Sequence, residues 1–272
     1  MYAGVLGSRP VAVKIILDSH GPDLHKKTWT AHYEALMMVE LQHENLVSTY
    51  DWCRIEESSR WQVWIVQELC RGGPLGVALK KGMFREGGIA ERPPDAAVIL
   101  ETALDIARGM EFLHSQDEMH ADLSSNNVLL QFCSDVKRRT GWIAKISDFG
   151  LGRMGDADAM TQSVGTVSHM APELLVEGTM SPAADVFSFG VILWELWAGK
   201  RAWDGMSSVQ VIFAVTCEAR MLEVPEGMPP EYASLMSDCM SMDKDKRPSF
   251  AEIVPRLEKY LDYLCSLDYS ML

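Results

Sequence analysis

Four short strings carry the side chains in this sequence that could do chemistry. They are VAVK ending at Lys14, HADLSSNN from His120 to Asn127, DFG from Asp148 to Gly150, and APE from Ala171 to Glu173. Lys14 offers an ammonium that can neutralise an anion. Asp122 and Asp148 offer carboxylates and Asn127 a carboxamide oxygen, donors that suit a proton or a small hard cation. Taken singly, the strings say little. A lysine often ends an apolar strand, and an Asp or Asn in a loop often only caps a turn. The information lies in their order and in their domain-scale spacing.

In that order the strings resemble the signature set of eukaryotic protein kinases. Three further segments, GTVSHMAPELL (Gly165 to Leu175), DVFSFGVILWELWAG (Asp185 to Gly199) and DKRPSF (Asp245 to Phe250), are similar to the tyrosine-kinase-like group. Within that group they resemble the Raf-like serine/threonine kinases of plants and green algae. The resemblance covers nearly the whole chain. It implies an α+β, bilobal fold with a small β-rich N-lobe and a larger helical C-lobe. The N-lobe is expected over residues 1–70 and the C-lobe over 71–272. The implied activity is transfer of the γ-phosphoryl group of ATP, with Mg2+, to serine or threonine hydroxyls of protein substrates in signalling. Thr166, in the GT pair before APE, favours serine and threonine over tyrosine acceptors.

Phosphoryl transfer asks little covalent work of a protein; it asks for positioning and for neutralised phosphate charge. The resemblance distributes that work. Lys14 contacts the phosphates and is held by Glu34, with Met38 one turn further along the same helix face. Asp122 orients the substrate hydroxyl and accepts its proton. Asn127 and Asp148 hold the metal. Glu68, Leu69 and Cys70 match the hinge whose backbone pairs with adenine, and Gln67 matches the gatekeeper before it. Ala12 and Leu129 sandwich the adenine ring. Glu173 and Arg247 match a buried ion pair that anchors the substrate-binding segment. Asp185 matches the helix carboxylate that holds the catalytic-loop backbone.

The elements that must position these groups are legible in part. Val11, Val13 and Ile15 alternate with Ala12, Lys14 and Ile16, the period of a strand. Residues Thr30 to Gln42 place Tyr33, Leu36, Met37 and Leu41 on one helical face. WQVWIVQEL, from Trp61 to Leu69, reads as a buried strand that ends at Arg71, Gly72, Gly73 and Pro74. Between Pro94 and His114, Ile99, Ala103, Ile106, Met110 and Leu113 follow 4-3-4-3 spacing, one continuous apolar stripe. Phe187 to Ala198 is too short to span a membrane and reads as a buried core helix. Gly82 to Pro94 and the basic run SDVKRRTG, Ser134 to Gly141, read as exposed loops, the second as a solvated turn.

Three departures from the family pattern matter. Only MYAGVLGSRP precedes VAVK, where the family has a first strand and a glycine-rich phosphate lid. A truncated stretch of a longer sequence is the expected explanation; a chain that lacks the lid would leave the phosphates open to water. Ala121 replaces the arginine that normally precedes the catalytic aspartate and receives an activation-segment phosphate. Thr161, Ser163, Thr166 and Ser168 are therefore acceptors without the usual receiver, the pattern of a non-RD kinase. Ser124 replaces the lysine that steadies the transferring group, and Ser125 and Asn126 bring no cation either. These losses motivate a runner-up reading, a pseudokinase that binds nucleotide or partners without transfer.

Composition bounds the rest. The 272 residues are 47% apolar, enough for a large core, and the net charge of −13 makes the chain a poor candidate for nucleic-acid binding, which needs a basic face. Six cysteines, at 53, 70, 133, 217, 239 and 265, form no CxxC pair and read as reduced thiols. The N-terminus has no signal-peptide pattern. The expected setting is cytoplasmic, either free or as the cytosolic part of a larger protein.

Overall fold

A computed structural model of the chain describes residues 1–17, 38–57, 60–136, 138–149 and 167–270. The first part is a four-stranded antiparallel sheet. Its strands are β1 (Tyr2–Leu6), β2 (Arg9–Leu17), β3 (Thr49–Glu57) and β4 (Arg60–Glu68), in the order β1-β2-β4-β3. The alternation around Val11 and the WQVWIVQEL run thus become the two central strands. Their register sets Ala12 opposite Gln67 and Lys14 opposite Ile65. Because side chains alternate across a strand, Ala12 and Lys14 share a face of the sheet. Of the helix expected over Thr30 to Gln42, residues 38–40 are helical. Its N-terminal part, with Tyr33, Glu34, Leu36 and Met37, lies outside the described residues.

A helical body follows. It contains α1 (Leu75–Lys80), α2 (Ala96–Ser115), α3 (Pro172–Glu177), α4 (Pro182–Ala198), α5 (Ser208–Thr216), α6 (Pro230–Cys239) and α7 (Phe250–Ser270). A small sheet lies on α2: β5 (Gly73–Pro74) comes just before α1, and β6 (Val128–Phe132) and β7 (Trp142–Ile146) come between α2 and α3. The architecture is α+β, a β-sheet N-lobe beside a helical C-lobe.

The apolar stripe of α2 is the spine of the larger lobe: Ile99, Ala103, Ile106, Met110 and Leu113 are wholly buried. Asp95 caps its N-terminus by accepting from Val98 N–H. Gly109 is required in the middle of this helix. A Cβ there would stand 2.8 Å from Ile146 Cδ1 and 2.9 Å from Asn45 O, so the helix could not approach β7 as closely. Helix α4 is apolar on nearly every side and lies in the core, as its sequence predicts. Gly199, at φ +67°, ends it in the left-handed conformation that glycine adopts at little cost.

The basic run after Ser134 differs from expectation. Arg138 is not solvated. Its guanidinium pairs with the buried carboxylate of Asp105 on α2 and donates through Nε to Trp142 O at 3.0 Å. The backbone N–H groups of Arg139 and Thr140 donate to Glu101. The partners lie 33 and 38 residues away in sequence, so the local charge pattern could not reveal them.

All six cysteines are free thiols. Cys70 and Cys239 are buried, which pushes the thiol of Cys70 up to about 12 and that of Cys239 higher still, whereas Cys53 and Cys217 are exposed. In the native protein, iodoacetamide is expected to label Cys53 and Cys217 first. Cys70 and Cys239 should react only on unfolding; peptide mass spectrometry after a timed quench checks the order. Among the described residues no helix is long and apolar enough to cross a membrane.

Candidate active site

The segment His120 to Asn127 links α2 to β6, and one buried carboxylate shapes its start. Asp185, on the first turn of α4, is 2% exposed. Its Oδ1 accepts from Ala121 N–H at 2.8 Å. Its Oδ2 accepts from His120 N–H at 2.9 Å and lies 3.0 Å from His114 Nε2. A carboxylate can stay in an apolar helix only with donors on both oxygens, and here they come from the loop it must hold. Ala121, gripped in this way, has φ +63°, a region where any Cβ adds strain. Asp148 is likewise left-handed, at φ +57°.

His120 is fully buried and joins the loop to the DFG aspartate. Its Nδ1 accepts from Asp122 N–H at 3.2 Å, so Nε2 carries the ring proton and donates to Ser147 O at 2.9 Å. Ser147 N–H in turn donates to Asn127 O at 2.8 Å. The Ser147 hydroxyl lies 3.1 Å from Asn127 O and 3.2 Å from Asp148 Oδ2. Asp122, Asn127 and Asp148, 26 residues apart at the extremes, are thus tied together through backbone and one imidazole.

The side chains are aimed as well as gathered. Asn127 Nδ2 donates to Asp122 O at 2.8 Å and to Asp122 Oδ2 at 2.9 Å. This fixes the carboxamide and leaves its oxygen outside the described hydrogen bonds. Asp122 Oδ1 is buried and accepts no hydrogen bond among the described residues. A buried acceptor without a donor is costly, and a substrate hydroxyl would supply one. Lys14 reaches across from the sheet, its Nζ 2.6 Å from Asp148 Oδ1. Burial alone would push the Asp148 carboxyl up. The Lys14 ammonium, with hydrogen bonds from Lys14 and Ser147, outweighs it and holds the group below the usual carboxylate range. Glu34, expected to hold Lys14, lies outside the described residues, as do Thr161, Ser163 and Thr166.

Magnesium takes oxygen ligands and keeps waters or phosphate oxygens in its shell. The uncommitted Asn127 oxygen and the ionised Asp148 carboxylate fit that preference. Among the described residues no group of three or more His, Cys, Asp or Glu side chains forms a cage of its own. The donor set therefore suits a metal shared with a phosphorylated ligand.

At the end of β4, Gln67 is 3% exposed and its Nε2 donates to Thr49 Oγ1 at 3.3 Å, with Met38 Sδ at 3.7 Å. Glu68 N–H is taken by Ser48 O at 2.9 Å. Ala12 is buried on β2, Cys70 is buried just after β4, and Leu129 is half-buried on β6. Sequence reasoning missed what holds this segment. Lys145, 7% exposed on β7, places Nζ 3.0 Å from Glu68 Oε2 and donates to Glu44 O at 2.7 Å. The only signal was a lysine inside the apolar strand WIAKI.

On the opposite side, Arg247 and Glu173 form a two-pronged pair, with Nη1 to Oε1 at 2.7 Å and Nη2 to Oε2 at 2.8 Å. Arg247 also donates to Ala183 O and Ser241 O and stacks on Phe187. This fixes α3 against α4 as the resemblance implies.

Glu195, 1% exposed on α4, was not singled out by its sequence. It lies 3.3 Å from His169 Nε2 and accepts from Ala202 N–H at 2.9 Å. Burial pushes its carboxyl up, but His169 and the Ala202 N–H prevail and hold it below the usual glutamate range. A carboxyl with a depressed folded-state value contributes stability above about pH 4.3, the unfolded value. That contribution is lost as pH falls further, through the folded-state value. Glu195→Gln is expected to flatten the acid limb of stability in this window. Urea midpoints across pH measure it, and an unchanged slope would contradict the assignment.

The comparisons agree with this geometry. A family profile described as "Protein tyrosine and serine/threonine kinase" matches residues 3–257. The chain is 34% identical over 264 residues to human mitogen-activated protein kinase kinase kinase 11, covering 95% of this chain and 29% of that protein. It is 34% identical to the serine/threonine/tyrosine-protein kinase HT1 of Arabidopsis thaliana, covering 96% of this chain and 63% of that one. It is 30% identical to the Arabidopsis serine/threonine-protein kinase STY46, covering 95% and 41%. The chain thus spans between about a third and two thirds of the length of these curated relatives.

Proposed function

The chain belongs to the protein tyrosine and serine/threonine kinase family, and we propose that it transfers the γ-phosphoryl group of ATP to serine or threonine hydroxyls of protein substrates. The observation that carries this reading is the joined set Lys14–Asp148 and Asn127–Asp122, with Asp122 Oδ1 buried and awaiting a donor. Pseudokinases more often lose one of these groups; here each is present in the sequence.

We assign the roles as follows. Residues 1–70 form the N-lobe and 71–272 the C-lobe. Ala12 and Leu129 flank the adenine. Glu68 offers its carbonyl, since its N–H is already taken, and Cys70 follows in the same hinge. Lys14 neutralises phosphate charge, with Glu34 as its second carboxylate. Asn127 and Asp148 hold magnesium. When bound, the metal and ATP supply the phosphoryl group and a cation at its leaving oxygens. Asp122 orients the acceptor hydroxyl through Oδ1, and its other oxygen is pinned by Asn127, so the carboxylate cannot rotate away. The proton leaves the hydroxyl for Asp122 as the acceptor oxygen bonds the γ-phosphorus, and the bond from that phosphorus to the β,γ-bridging oxygen breaks with ADP as the leaving group. The cytoplasm, or the cytosolic side of a larger protein, is the setting we infer.

The test is transfer from γ-labelled ATP, with magnesium, to a generic serine-rich protein, followed by phosphoamino-acid analysis. Label on serine and threonine is expected. One relative's name includes tyrosine, so label confined to tyrosine would overturn the acceptor class. ATP binding without label would favour the binding-module reading that Ser124 and Ala121 motivate.

A further inference from the structure

The substrate side of the catalytic loop has a cation that comes from outside the loop. Ser124 and Ser125 are buried, and neither they nor Asn126 carries charge. Arg201, 75 residues further on, donates from Nη2 to Asn126 Oδ1 at 3.0 Å. Asn126 immediately precedes the metal-site Asn127 and lies four residues after Asp122. Both Arg201 and Asn126 are exposed.

The turn bearing Arg201 is fixed on both sides. Before it, Arg85 donates to Ala198 O at 2.6 Å and Gly199 closes α4 in the left-handed conformation. Lys200 lies over the Trp194 ring, 5.9 Å from its centre. After it, Ala202 is buried and its N–H is held by Glu195. Glu195 also lies 3.3 Å from His169, beside the APE segment. One buried carboxylate therefore links the segment expected to hold the peptide to the turn that presents Arg201, and Arg201 itself joins that turn to the loop that bears Asp122.

Arg201 has five N–H donors in a planar fork, and the described structure uses one. Among the described residues no carboxylate pairs with it. An exposed guanidinium, oriented by a neutral amide and otherwise uncommitted, matches a carboxylate or phosphate in a two-pronged contact. In a chain of charge −13, a cation left without an acidic partner at this place stands out.

We propose that Arg201, oriented by Asn126, is a specificity-determining residue that receives an anionic side chain of the protein substrate close to its acceptor hydroxyl. The inference rests on the kinase reading above. The recognised group is an oxyanion, a carboxylate or a phosphate, and the two sources are separated by experiment.

Serine peptides identical except for Gln, Glu or phosphoserine at each flanking position would be assayed for KM and kcat. Their binding without nucleotide would be followed by fluorescence anisotropy. At one flanking position the KM of the Glu or phosphoserine peptide is expected to lie about tenfold below that of the Gln peptide. Equal gains for Glu and phosphoserine identify a carboxylate site, and a larger gain for phosphoserine a phosphate site. Arg201→Gln should bring the KM ratio near one, and Arg201→Glu should invert it toward a Lys-bearing peptide, which a merely structural role would not do. The proposal is overturned if wild type shows no preference at any position, or if Arg201→Gln keeps the ratio. It is also overturned if that variant lowers kcat for every peptide alike with KM ratios intact, which would place Arg201 at the transferring group. Failure of the kinase reading looks different: no peptide is labelled, whatever anisotropy shows about preference.

Discussion

Asp185→Ala is expected to lower the unfolding free energy by about 3–5 kcal/mol and to abolish transfer. The loss comes from the donors, not from the carboxylate itself. Ala121 N–H, His120 N–H and the His114 ring all point at Asp185; the His120 group is buried and the Ala121 group partly so. Removing the acceptor leaves them unpaired at about 1–3 kcal/mol each, with partial relaxation. Ala121 is held at φ +63° by the same contact, so the turn would also release its strain by leaving that conformation. Asp122, one residue on, would move with it. Asp185→Asn keeps one acceptor oxygen and should fall between wild type and alanine in thermal midpoint, with alanine lower by roughly 10 °C. A midpoint for Asp185→Ala within a degree or two of wild type would show that the loop is held by something else.

The order and types of the chemical groups were readable from sequence because they lie in short strings. Strand alternation around Val11, the α2 stripe and the apolar α4 are local patterns, and local periodicity reports which face is buried. Long-range partners have no such pattern. Arg138 looks like a charged loop residue until Asp105 is placed beside it. Lys145 looks like a strand residue until its ammonium is found on Glu68, at the end of β4. Glu195 reads as one polar residue in an apolar helix, yet it ties together His169 and Ala202. Arg201 carries no motif at all; only its contact with Asn126 gives it meaning. The missing cation at Ser124 was visible in sequence as a loss, whereas the charge beside it could be seen only in space.

That loss also bears on rate. A cation at a developing anion can be worth several kcal/mol, so the absence of lysine at Ser124 predicts slower transfer than the family pattern. The chemistry at the acceptor hydroxyl is untouched by it. There the proposed chemistry depends on one carboxylate, with Oδ2 pinned by Asn127 and Oδ1 buried without a partner among the described residues. Asn in place of Asp122 keeps the size and most of the hydrogen bonding of that side chain but cannot take a proton. General-base assistance of this kind contributes about 10²–10⁴-fold.

The most direct measurement is therefore transfer of label from γ-labelled ATP to a serine-containing protein by the wild-type chain and by Asp122→Asn. It should be run side by side, with circular dichroism to show that both are folded. The account predicts label for wild type and a signal lower by about 10²–10⁴-fold for the variant. Equal signals from the two proteins would contradict it.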